Sequence, residues 1–347
     1  MSIEINLNRD WTELTMREVD SLKSQGFTFQ DFETWKLKRI ENLTNQRNQQ
    51  ITAGLDISYV DQELKKADLT ESYNESLVHS FFNLKQRVVE PTSRTVHVPA
   101  GFVCPATLQT GFDSLLQKVR MGQSLFPHLS RQIFNPNFLD GMLFDWGIQH
   151  FHLGFTPDSR KPMLIAGTSE VVYAVVEEHD FYVLGINHHG AWADKDLLRI
   201  MRGNFPQLLS HHKMEGFVAI ETVFTESDHL QLRKARVNTI VDLDGEFFMS
   251  PGGGINSAGG SMESSMRINF IRRWYRDAQK AILAGIEKMQ EDLAPESATR
   301  FSNLNLRMMK GENDRITVND LGKNIEIILF YTQDRRGFKE IVVNDGI

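Results

Sequence analysis

The chain has a single cysteine, Cys104, in 347 residues, so no disulfide can form within it. Such sparing use of cysteine fits a reducing compartment. No apolar run approaches the roughly 18 residues that a membrane-spanning helix needs. Residues 1–10 (MSIEINLNRD) also lack the basic start and apolar stretch of an export signal. The expectation is a cytoplasmic protein with no membrane partner. Positive charge is not in excess: 38 Lys and Arg against 45 Asp and Glu leave a net charge of −7. That balance argues against coating nucleic acid through bulk electrostatics and still permits a local basic cleft. HEXXH, paired CxxC, GxSxG and kinase signatures are all absent.

An apolar share of 41% and a charged share of 24% are those of an ordinary globular protein. The length exceeds the roughly 250–300 residues over which a single core usually extends. We therefore expect a helical appendage over 1–90 and a histidine-bearing α+β domain over 91–347. In the first part Trp11, Leu14, Val19 and Leu22 recur at helical spacing, and Phe29, Phe32 and Trp35 precede a polar run to Gln50. The polar faces of these helices would suit a protein partner.

Beyond residue 90 the pattern shifts to short strands and separate helices. β-Branched residues and prolines fill 88–105, a helix carrying Leu115, Leu116 and Val119 follows, and 171–176 with 181–186 reads as a hairpin. Asp194 is placed to cap a helix bearing Leu197, Leu198 and Met201. Strands are expected over 217–224, 237–243, 247–249, 316–318, 325–331 and 340–343, with helices over 228–235 and 263–290. Without a regular βαβ rhythm the fold class is α+β, with a mixed, mainly antiparallel sheet and flanking helices. The segment 251–261 (PGGGINSAGGS) has neither the Gly-Lys-Ser/Thr of a P-loop nor a dinucleotide fingerprint. It reads either as a mobile loop over a site or as a hairpin-to-helix connector.

Histidine is the residue that stands out. Eight of the eleven lie between His150 and His229, and six of these form three tight groups: His150 with His152, His188 with His189, and His211 with His212. An imidazole titrates near neutrality, so it serves as acid, base or metal ligand. If 148–152 is extended, the period of two puts His150 and His152 on one face. Adjacent strand residues face opposite ways, so one of His188 and His189 joins them; His188 is the first choice and His189 its alternative. His211 and His212 fall in a loop, and His179 and His229 read as surface residues.

Cations near the group complete a candidate site. Arg160 would clamp a phosphate, and Lys161, Arg233 and Arg236 would bind substrate, since Arg matches phosphate oxygens in pairs. The segment His150-Phe151-His152-Leu153 resembles one His-x-Thr/Ser repeat of the two-histidine phosphoesterases, with His152 at the hydroxyl position and no second repeat. The hairpin-rich half is similar in texture to the compact metal-independent ribonucleases of bacterial toxins. Three functions follow. In the first, a hydrolase cleaves phosphodiester bonds in nucleic acid or a nucleotide by His acid/base catalysis through His150, His152 and His188, without a cofactor, as a bacterial toxin or defence nuclease would. In the second, His150, His152 and His188, with Asp194 or Asp145, bind a divalent metal. In the third, the chain is a non-catalytic sensor or subunit docking through its N-terminal helices.

Overall fold

A computed structural model describes residues 3–191, 193–216, 224–309, 315–320, 322–331 and 338–345. The fold is α+β with a helical N-terminal region, as expected. Its strands are β1 (Ile3–Ile5), β2 (Thr95–His97), β3 (Ile148–His152), β4 (Glu170–Val176), β5 (Asp180–His188), β6 (Val241–Leu243), β7 (Glu246–Phe248), β8 (Leu304–Met308), β9 (Arg315–Asp320), β10 (Ile325–Tyr331) and β11 (Phe338–Asp345). Among the described residues no helix is long and apolar enough to cross a membrane. The strand expected over 217–224 lies, Phe224 apart, outside the described residues, as does Trp192.

The chain divides into two compact units. The first gathers Met1–Gln25, Trp35–Val78 and Arg267–Ile347, and the second Gly26–Thr34 and His79–Met266. The C-terminal strands thus belong with the N-terminal helices. In the first unit the helix Leu7–Ser24 opens on Asn6, whose side chain accepts the Arg9 N–H, and buries Leu7, Trp11, Thr15 and Val19 at one-turn intervals. Buried Asp10 on that face accepts the Met308 N–H at 2.8 Å and forms an ion pair with Arg307 at 2.9 Å, which ties the helix to β8. The sheet order is β1-β8-β9-β10-β11, with β1 parallel to β8 and the other pairs antiparallel.

The second unit carries the histidines. Its four-stranded sheet has the order β2-β5-β4-β3, so β3 forms one edge. Trp146, Ile148, Tyr173 and Leu184 pack with Leu197 and Met201 of the helix Lys195–Asn204, whose first turn is capped by the Asp194 side chain through the Asp196 N–H. The β4–β5 hairpin matches the sequence reading, with one addition. Val176 faces Phe181 and Ala174 faces Val183, but Tyr173 faces Gly185, which leaves Leu184 without a partner. This is a β-bulge: one extra residue on β5.

Segment 251–261 joins β7 to the helix Met262–Asp292. The N–H groups of Gly252 and Gly254 donate to the carbonyls of Asp145 and Phe144 at 2.9 and 2.8 Å, and Asn238 pairs with both backbone groups of Ile255. A Cβ at Gly252 would stand 2.3 Å from the Leu143 carbonyl oxygen, so only glycine fits where this segment passes the helix Gly141–Trp146.

Candidate metal centre

On β3 the period of two puts Ile148, His150 and His152 on one face and Gln149 and Phe151 on the other; all are buried except His150, which is half-buried. His152 faces Val171 on β4, Val171 faces Asn187 on β5, and the His189 N–H donates to the Ser169 carbonyl at 2.6 Å. Counting across the sheet, His189 therefore shares the face of His150 and His152, while His188, opposite Glu170, takes the other. The bulge decides this. With the register of the turn-proximal half, Ser169 would meet His188, and an unpaired Leu184 shifts every later residue to the opposite face.

The result is a group of three imidazoles, His150, His152 and His189, with one nitrogen from each lying within 4.8 Å of the others. The His150 and His189 rings meet edge to face at 5.2 Å between centroids, and those of His152 and His189 stack at 5.3 Å. His189 is exposed, so the group opens to solvent on one side. The first choice from sequence, His188, stands outside it, with its Nδ1 2.9 Å from its neighbour Asn187.

The burial of β3 sets the charge of the rings. His150 is pushed down to about 3, first by loss of hydration and then by His189 and Arg87. His152 falls to about 4 for the same first reason, with His150, His189 and Arg131 adding repulsion. Both are neutral at pH 7. The Thr168 N–H donates to His152 Nδ1 across a long 3.2 Å, which puts the ring proton on Nε2. Behind the strand, buried His128 donates from Nδ1 to the His152 carbonyl at 2.8 Å, while the Lys118 ammonium meets its Nε2 at 3.1 Å. Burial foremost pushes His128 down to about 4, against the effect of its carbonyl partner. Sequence reading passed over His128; an isolated histidine shows nothing of its partners.

The remaining sequence candidates lie elsewhere or are engaged. Arg160 is exposed, and its backbone N–H, with that of Lys161, donates to Asp158 at 2.9 Å. Lys161 sets its ammonium over the Phe134 ring, 4.3 Å from the centroid. Arg131 and Arg87, which sequence reading did not single out, are the cations that act on His152 and His150. Asp145 accepts from Arg233 at 2.5 Å and from Ser250 at 2.6 Å, and Asp194 holds Asn187 and its own helix. Neither carboxylate belongs to the three-histidine group.

Arg236 donates to the Ser257 carbonyl. The expectation of a surface position for His229 is corrected. A Thr225–Asp228 capping box starts its helix at Glu226, and the ring turns inward against Trp146, buried and 3.0 Å from the Thr239 hydroxyl.

No protein-family model, curated protein or solved structure matches the chain.

The three imidazoles, two of them held neutral by burial, and their open side suit a metal that favours nitrogen ligands. Tetrahedral zinc with bonds of about 2.0–2.1 Å sets its nitrogen ligands roughly 3.3 Å apart. Separations of up to 4.8 Å therefore require only a local closing of the three side chains.

Proposed function

We propose that the protein is a divalent-metal-dependent hydrolase whose metal is held by His150, His152 and His189, and whose substrate is an anionic phosphoester. The convergence of three imidazole nitrogens within 4.8 Å carries this reading. Zinc is the first choice of ion, because three imidazoles satisfy it and leave a position for water. When bound there, a divalent ion would supply Lewis-acid activation of water. The chain's own part is to hold the rings. His128 fixes the end of β3 through the His152 carbonyl, and Tyr173 donates its hydroxyl to the His188 carbonyl at 3.0 Å, which anchors the turn that presents His189. Ligation by His152 through Nδ1 displaces a single long hydrogen bond, that of Thr168.

The metal-free acid/base scheme is less well supported. An acid catalyst must carry a proton near the working pH, and burial holds His150 and His152 at about 3 and about 4. The deciding experiment is metal analysis of the purified protein together with cleavage of RNA, DNA and nucleotides with and without EDTA. Near-stoichiometric zinc, with cleavage lost in EDTA and restored by zinc, is the expected result. Cleavage that survives chelation overturns the metal reading in favour of the acid/base one. Absence of both metal and cleavage favours the non-catalytic role.

A further inference from the structure

His150 also lines a cavity of about 360 Å³ in the second unit. That volume falls in the usual range for small-molecule sites. Its apolar wall comes from Phe138, Met142, Leu230 and Ile255, and two cations, Lys234 and Arg236, line it as well. Arg233 is also present, but its charge is balanced by Asp145 at 2.5 Å. Lys234 and Arg236 have no ion pair among the described residues. The one carboxyl in the wall, Asp140, is pushed up by burial, toward its neutral form. The net character is an apolar chamber with free positive charge.

Its construction is specific. Arg236 stands at φ 62°, a left-handed conformation that a residue with a Cβ rarely adopts. Its Nη1–H donates to the Ser257 carbonyl at 3.2 Å. Gly259 makes room for it, because a Cβ there would lie 2.7 Å from Leu139 and 3.1 Å from the Arg236 Nε. The glycine-rich connector is thus shaped around Arg236 at the cavity.

We propose that this cavity binds a small organic phosphate, an apolar or aromatic body carrying a phosphate group, with the body on Phe138, Met142 and Ile255 and the phosphate on Lys234 and Arg236. Its role as the hydrolase's substrate pocket rests on the metal reading through the shared His150; the binding does not. The test is therefore made in EDTA, by calorimetric titration with naphthyl phosphate, inorganic phosphate and naphthoate. Naphthyl phosphate is expected to bind at least tenfold more tightly than inorganic phosphate, which lacks the body, and than naphthoate, which lacks the phosphate. Arg236→Gly, which relieves the backbone conformation while removing the charge, is expected to weaken naphthyl phosphate about tenfold, and Lys234→Ala to add to the loss. Equal affinity for the three ligands, or no change in either variant, overturns the proposal. Binding in EDTA by a protein that holds no zinc sustains the cavity and removes only the hydrolase.

Discussion

Two His–His doublets, 188–189 and 211–212, look alike in sequence and differ in what surrounds them. The first sits at the end of β5, where a neighbouring strand and the bulge aim one ring at His150 and His152. The second sits in a turn after the short helix Gln207–Ser210, where the His212 carbonyl accepts the Met249 N–H at 2.8 Å. There, half-burial and the adjacent His211 lower the His212 pKa, but neither ring joins the three-histidine group. A doublet becomes a site only when a rigid element fixes which ring faces its partners.

The largest expected difference between the doublets is in metal affinity. His150→Ala or His152→Ala should weaken zinc binding by a hundredfold or more in a competitive chelator titration, whereas the double variant His211→Ala/His212→Ala should bind as the parent does. An equal loss from both would erase the contrast. Within the first doublet, His189→Ala should cost at least tenfold in the same titration and His188→Ala less than twofold; the reverse order would contradict the β4–β5 register that turns His189 toward His150 and His152.

A smaller effect concerns acid stability without metal. His128, His150, His152 and His229 have folded values of about 4, 3, 4 and 4, below the ordinary 6.5. Between those values the unfolded chain takes up protons that the folded one refuses. The stability is therefore full above pH 6.5 and is lost as pH falls toward 4 and then 3. Each ring contributes a slope of at most about 1.4 kcal/mol per pH unit. Thermal melts from pH 7 to pH 4 in EDTA should flatten with His150→Gln and change less with His212→Gln.

Much of this was legible in the chain. The period of two placed His150 and His152 together, Asp194 announced its helix, and 171–176 with 181–186 announced the hairpin. What was not legible depended on events that sequence leaves unmarked. The bulge falls in a run of apolar β5 residues where any register looks acceptable, so the choice between His188 and His189 stayed open. His229 went astray because the polar residues around it do not mark which face of their helix packs inward against Trp146. The union of Arg267–Ile347 with the N-terminal helices depends on pairings such as β1 with β8, three residues long and some 300 positions apart.

The unpaired Leu184 works as a phase inverter: it exchanges the odd and even positions of everything that follows on β5. Because an imidazole occupies both 188 and 189, the output of that inverter is the same residue type in either setting. Were the bulge smoothed out with the chain length unchanged, His188 would take the place of His189 on that face, so the doublet presents an imidazole beside His150 and His152 in either register of the sheet.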